Sequence, residues 1–159
     1  MDISFLTPEG KFNYRVAAVI IHNGKLLVMK DDRGDYFYLP GGRLKMHETM
    51  HEALLREIKE ELGIDGKIVR DVWLNQNFFI EQRSKVEYHE ICMYTIVDVS
   101  DTNILNLGTT FTMVDNGNNL YYTWMSIDDI PKINIYPEFI KKNIQSLPDG
   151  IKIINEYNK

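Results

Sequence analysis

The chemically telling feature of this sequence is a helix that turns carboxylates toward its buried side. From Gly42 to Ile64 the chain reads GRLKMHETMHEALLREIKEELGI, and Gly42, Glu48, Arg56, Glu57, Glu60, Glu61 and Gly63 are the positions that could do chemistry. Thr49 to Leu62 is made mostly of strong helix formers with neither Gly nor Pro, and Gly63 supplies a stop. At about 100° per residue, Met50, Leu54, Ile58 and Leu62 share one apolar stripe, and Glu61 falls inside it. Glu57 lies at the edge of the stripe one turn earlier, with Glu60 beside it. Glu52, Arg56 and Lys59 occupy the opposite side, where solvated charges belong.

A buried carboxylate is costly unless a cation, a proton or water meets it. Neighbouring acids at this spacing also repel, by roughly a few tenths of a kcal/mol per pair. A divalent cation reverses that sign. An all-oxygen acidic set with no Cys and no His partner suits a hard ion that keeps several waters, and Mg²⁺ is the natural candidate. His47 and His51 flank Glu48, but no third ligand at supporting spacing exists, so they are read as surface histidines and not as a zinc site.

The same positions, with Ile58 and Ile64 at two aliphatic places, resemble the complete Nudix box and depart from it nowhere within the 23 residues. The resemblance implies an α/β fold, an α/β/α sandwich with a mixed central sheet. It also implies metal-dependent hydrolysis of a nucleoside diphosphate linked to another moiety. By resemblance, Glu57 and Glu61 are the principal metal ligands, and Glu60 is a further ligand or the base for the attacking water. Arg56 and Glu48 tie loop to helix, and the carbonyl of Gly41 reaches the metal. Mn²⁺ in place of Mg²⁺, and a homodimer, are compatible with this reading. The alternative from another class is a Nudix-like module that binds or senses a nucleotide without turnover. A third, diphosphate isomerisation, needs a reactive Cys near the site, and Cys92 is the one candidate.

The elements that must hold this helix follow in chain order. Residues 1–13 read as a short lead-in, with Pro8-Glu9-Gly10 a turn. Tyr14 to His22 reads as a strand covered on both faces, Asn23-Gly24 as a tight turn, and Lys25 to Lys30 as its partner, the pair forming the edge of the core sheet. Asp31 to Asp35 is a charged turn, and Pro40-Gly41-Gly42 lets the backbone approach something closely, which fits a carbonyl presented to a metal.

Beyond the box, Lys67 to Ile80 and Val86 to Val99 read as two long strands. Counting by twos from Val86 puts Glu90 on a face otherwise apolar or aromatic, beside Cys92 and Tyr94. Either a local pairing or bulge turns Glu90 to solvent, or it is a further carboxylate close to the metal; if the catalytic base comes from beyond the helix, Glu90 is the candidate, with Glu81 and Glu87 behind it. Ser100 to Asn119 reads as an extended loop or lid, and Leu120 to Met125 as a strand. Ser126 to Ile130 begins a helical turn that Pro131 ends, Glu138 to Ser146 is a last helix, and Ile151 to Ile154 a terminal strand.

Composition narrows the class further. At 159 residues and 44% hydrophobic content, one domain with a sizeable core is expected over 1–159. The single cysteine and the absence of a basic start followed by an apolar run lead to an expectation of a cytoplasmic protein, and no apolar run is long enough to cross a membrane. A net charge of -5 argues against a general nucleic-acid surface, though not against a polyphosphate substrate. The expected partner is a nucleotide-type small molecule. Tyr36, Phe37, Tyr38, Phe78, Phe79, Tyr136 and Phe139 are available to stack on a base, though each reads first as a core residue. The sequence selects no particular nucleotide.

Overall fold

The computed structural model describes residues 1–158. Ten strands and two α-helices run β1 Ser4–Thr7, β2 Gly10–Val19, β3 Ile21–His22, β4 Lys25–Asp31, β5 Gly41–Arg43, α1 Met50–Leu62, β6 Lys67–Ile80, β7 Glu87–Asp98, β8 Thr110–Asp115, β9 Asn118–Ser126, α2 Phe139–Asn143 and β10 Lys152–Asn158. One sheet has the order β1-β2-β7-β6-β10, with β5 also on β2; the other has the order β3-β4-β9-β8. β2–β7 and β6–β10 are parallel and β6–β7 is antiparallel, so the larger sheet is mixed.

The segment read as one strand from Tyr14 to His22 serves both sheets. It breaks at Ile20, with β2 in the larger sheet and β3 in the smaller. β2 is therefore not an edge, as the hairpin reading had it, but lies between β7 on one side and β1 with β5 on the other. Alternation along β2 builds two cores. Val16 and Ala18 face Leu54, Ile58, Met93 and Val97, while Ala17 and Val19 face Trp73, Tyr94, Phe139 and Ile140. The expected α/β/α layering follows, with α1 on one side of the mixed sheet and α2 on the other.

α1 forms where the sequence puts it. Thr49 caps it by accepting the Glu52 amide at 3.2 Å, and the Glu52 carboxylate accepts the Thr49 amide at 2.8 Å, a reciprocal capping box. Gly63 ends it in the left-handed region at φ 69°. Ala53, Leu54, Ile58 and Leu62 are its buried residues, and Met50 packs against the core only partly.

Several expectations need correction. The lead-in contains β1, which pairs with β2 through Ser4↔Asn13 to Thr7↔Gly10. The expected loop or lid over Ser100 to Asn119 contains a 3-10 turn, Asn103–Asn106, and the strand β8, which pairs with β9 around an Asn116-Gly117 turn with both residues at positive φ. Pro131 lies within the 3-10 segment Ile127–Lys132 and does not end it. α2 is shorter than Glu138 to Ser146, and β10 is longer than Ile151 to Ile154. No helix among the described residues is long and apolar enough to cross a membrane.

The loop that leads into the box is held by charge. Asp31, at the end of β4, accepts the Arg33 guanidinium at 2.6 Å, the Arg33 amide at 2.8 Å and the Tyr38 hydroxyl. The Arg33 hydrogen bond is the main reason its carboxyl is lowered to about 2. A depressed acid stabilises the fold above its unfolded pKa and loses that contribution as pH falls through its folded one. Between about pH 4 and pH 2 the wild type should lose roughly 1–3 kcal/mol that Asp31→Asn does not, read as a flatter acid limb in urea unfolding.

Candidate active site

Arg56 brings together three of the other expected residues. Its guanidinium makes a two-nitrogen pair with Glu48, Nη2 reaching Oε2 at 2.9 Å, while Nη1 donates to Glu57 Oε1 at 3.0 Å and lies 3.5 Å from Glu60. Nη2 also donates to the carbonyl of Arg43 at 3.1 Å, and the Lys45 amide donates to Glu48 at 2.8 Å. Loop and helix are thus tied by charge-assisted bonds, and Arg56 holds the Glu48 carboxyl down to about 2. The solvent-facing side of the wheel was the wrong place for Arg56; it is half-buried, because the loop folds back over it.

The two glycines before the helix have separate reasons. A Cβ at Gly42 would stand 2.3 Å from Glu57 Cδ, so the missing side chain is the space the carboxylate occupies. A Cβ at Gly41 would stand 2.1 Å from the Val16 carbonyl oxygen, because β5 presses against β2 there. The close approach expected at Pro40-Gly41-Gly42 is real, and what the glycines approach is β2 and Glu57.

Glu61 is the anomaly. One of its carboxylate oxygens, Oε2, is buried with no hydrogen-bond partner. Burial first, then the neighbouring Glu57, pushes its pKa up to about 8, against the opposing pull of the Gly41 amide and Arg15; Asp115 of β8 adds to the rise. Burial also raises Glu57, opposed chiefly by its bond to Arg56. Glu60 is different, with a side chain 44% exposed and Arg56 at the limit of hydrogen bonding.

Glu90 is not bulged out to solvent. The β6–β7 irregularities lie at Ile68/Arg70 and Asp71/Trp73, and Glu90 sits in regular register opposite Asn13 and Asn77. Asn13 Nδ2 donates to it at 3.4 Å, and its field acts on Arg15, Cys92 and Tyr94. The structure thus places it on the face of Arg15 and Cys92. Cys92 itself is buried and burial pushes its thiol up to about 12, which leaves no thiolate for isomerase chemistry. His51 is spent on Asp71 at 2.9 Å, and His89 belongs to a row of rings with Phe12 and Phe78. Among the described residues no three His, Cys, Asp or Glu side chains converge as a ready cage.

Sequence reasoning missed Arg15, Arg43, Asp115 and Tyr122, whose buried hydroxyl lacks a partner and is raised by burial and by Glu61. Arg15 was legible as a charge interrupting an otherwise apolar strand. Asp115 was not, because its segment was read as a loop.

A mixed sheet between helical layers, with a capped helix presenting paired inward carboxylates behind a glycine loop, is the architecture of a Nudix fold. The NUDIX domain profile matches residues 12–145, and the chain belongs to that family. It is similar to an 8-oxo-dGTP diphosphatase of Proteus vulgaris, 39% identical over 61 residues, which cover 35% of this chain and 54% of the relative. It is also similar to a putative nudix hydrolase of Caenorhabditis elegans, 26% identical over 76% of this chain and 39% of the relative. An RNA pyrophosphohydrolase of Campylobacter jejuni is 27% identical over 84% of this chain and 94% of its own length. The chain thus spans about half or less of the first two relatives. A MutT protein of Bacillus halodurans shares the fold, with a TM-score of 0.65 at 16% identity, over 92% of this chain and 90% of that one.

Because Glu61 ionises near pH 4.5 when unfolded and near 8 when folded, the metal-free protein loses stability as pH rises between those values. Glu61→Gln removes that loss. In chelator at pH 8 the variant should be more stable than wild type by roughly 1–3 kcal/mol, and by nothing measurable at pH 4, in urea unfolding followed by fluorescence.

Proposed function

We infer that the chain is a hydrolase of a phosphoanhydride bond in a nucleotide, a nucleoside diphosphate linked to another moiety, with water as the nucleophile. The observation that carries this reading is Glu61: a buried carboxylate with an orphaned oxygen, next to a second buried carboxylate, is unstable alone and fits a cation. Nudix hydrolases generally use divalent metals. The donor set is all oxygen, which favours Mg²⁺, with Mn²⁺ second. Glu57 and Glu61, with the Gly41 carbonyl, would hold such an ion, which when bound supplies charge neutralisation of the diphosphate and acidifies water.

The protein's own residues supply the rest. Glu48 fixes the Arg56 guanidinium, Arg56 fixes Glu57, and Gly42 leaves the space in which that carboxylate stays. Glu60, exposed and only weakly bonded, is free to take the proton from the attacking water. Glu90, on β7 across β2 from β5 and bonded to Asn13, is the weaker candidate for base or ligand. The names of the relatives agree on a diphosphate or pyrophosphate bond and differ in what is attached to it. We read residues 1–159 as one catalytic domain of a cytoplasmic protein, without a general nucleic-acid surface.

The test is phosphate and pyrophosphate release from a panel of nucleoside triphosphates, dinucleoside polyphosphates and nucleoside diphosphate sugars. With Mg²⁺, turnover of at least one member should fall about 10²-fold or more in Glu57→Gln and Glu61→Gln, and comparably in Gly42→Ala, which displaces Glu57. Equal rates in wild type and variants would refute the assignment; tight nucleotide binding with no turnover would make the protein a sensor instead.

A further inference from the structure

The sequence contains six arginines, and the structure uses four of them in hydrogen bonds. Arg33 bonds Asp31, Arg56 bonds Glu48 and Glu57, Arg70 donates to the carbonyls of Pro148 and Asp149, and Arg83 to the carbonyl of Arg33. Among the described residues, the side chains of Arg15 and Arg43 make no hydrogen bond and no ion pair. These two are not scattered. They are direct partners in the β2–β5 register, Arg15↔Arg43, and so project from the same face of the sheet.

Two guanidiniums directly opposite one another across a ladder repel. The repulsion is not relieved by exposure, since both residues are half-buried and Arg43 Nε is buried with no partner at all. The field of nearby acids favours the charge on Arg15 but spends none of its donors. Glu90 and Glu61 act on Arg15 at a distance, but neither forms an ion pair with it. Relaxing the pair into bulk water, or neutralising it with a carboxylate, is what a purely structural arrangement would show. The site instead leaves two adjacent guanidiniums with unspent donors. It does so on the short strand whose Gly41 backbone amide donates to the buried Glu61.

A terminal phosphate is the species that matches this charge. At pH 7 a phosphomonoester carries about −1.5 to −2 and offers three strong acceptor oxygens, while an internal phosphate esterified on both sides carries a single charge and fewer free oxygens. Arginine's fork donates two parallel bonds to such an oxygen pair. We propose that Arg15 and Arg43 form a clamp for the free terminal phosphate of the substrate, so that this chain prefers nucleotides ending in an unesterified phosphate over diphosphates esterified at both ends. This deepens the hydrolase reading and rests on it for the identity of the substrate, though not for the anion site itself.

Binding and turnover test the two separately. In chelator, isothermal titration with inorganic tripolyphosphate should show affinity weakened about 10-fold or more by Arg15→Gln and by Arg43→Gln, in proteins whose thermal midpoints stay well above the titration temperature. Arg15→Lys and Arg43→Lys, which keep the charge but lose the fork, should fall between. Lys25→Gln, an exposed charge elsewhere, should bind like wild type. With Mg²⁺, the ratio of kcat/KM for a nucleoside triphosphate over a dinucleoside diphosphate should be high in wild type and should collapse in either Gln variant.

Tripolyphosphate affinity equal in wild type and both Gln variants overturns the clamp, as does a loss matched by Lys25→Gln, which would make the effect one of net charge. Turnover whose triphosphate preference survives both substitutions overturns it too, while leaving the hydrolase reading intact. Arginine-dependent tripolyphosphate binding in a protein that hydrolyses nothing supports the clamp and sinks the hydrolase reading alone.

Discussion

A pair of buried carboxyl groups, one of them with an oxygen that no donor meets, is the constraint on which the rest of this structure depends. Glu61 carries a buried oxygen with no donor, beside Glu57, whose own carboxylate fills the space that a side chain at residue 42 would take. Both arrangements work against folding. α1 tolerates them because its other determinants agree: a reciprocal capping box at Thr49 and Glu52, a left-handed Gly63, and an apolar seam of Ala53, Leu54, Ile58 and Leu62 packed on β2 and β7. A helix so fixed by its ends and its core can carry a destabilising face without moving. This is the usual physical sign of a site whose charges await a partner from outside the chain.

The cations divide along the same line. Arg56 is fully engaged, joining loop to helix through Glu48, Glu57 and the Arg43 carbonyl, and its role is to keep geometry. Arg15 and Arg43 are unengaged, although acids lie near enough to act on Arg15. What prevents mutual neutralisation is backbone pairing. The register of β2 with β5 fixes Arg15 on Arg43, and the close packing of Gly41 on Val16 leaves little freedom to slide. Strand pairing thus fixes the two arginines beside one another, whatever their side chains would prefer.

What the sequence disclosed and what it concealed follow from the range of the interactions. α1, its limits and its inward acids were legible because helix periodicity, capping and the glycine stop are local, readable within 23 residues. The long strands β6 and β7 were legible for the same reason. Arg15 opposite Arg43 was not, because it depends on which strand pairs with which and in what register, and β5 is three residues long inside what reads as loop. β1 was missed because its partner is the strand that follows a turn at Pro8-Glu9, with exposed Phe5 and Leu6 giving no alternation. β8 was missed although Asp115-Asn116-Gly117-Asn118 is a strong hairpin signal; polar composition across Ser100 to Asn119 outweighed it.

That last correction changes how the site is enclosed. A lid must open at small cost, and β8 cannot. It pairs with β9 through six residue pairs, Phe111 stacks on Tyr122 at 5.1 Å, and Asp115 at its end adds to the field on Glu61. Peeling the strand away would expose that ladder and part of the core that Phe111 and Met113 cover. β8 is therefore a fixed wall of the acidic site. Its contribution is electrostatic and constant: by placing one more acid near Glu61 it raises the cost of ionising that carboxyl. The segments free to move are instead true loops, such as the one between β6 and β7 from Glu81 to Val86, whose residues are largely exposed and held by short-range bonds to Glu81.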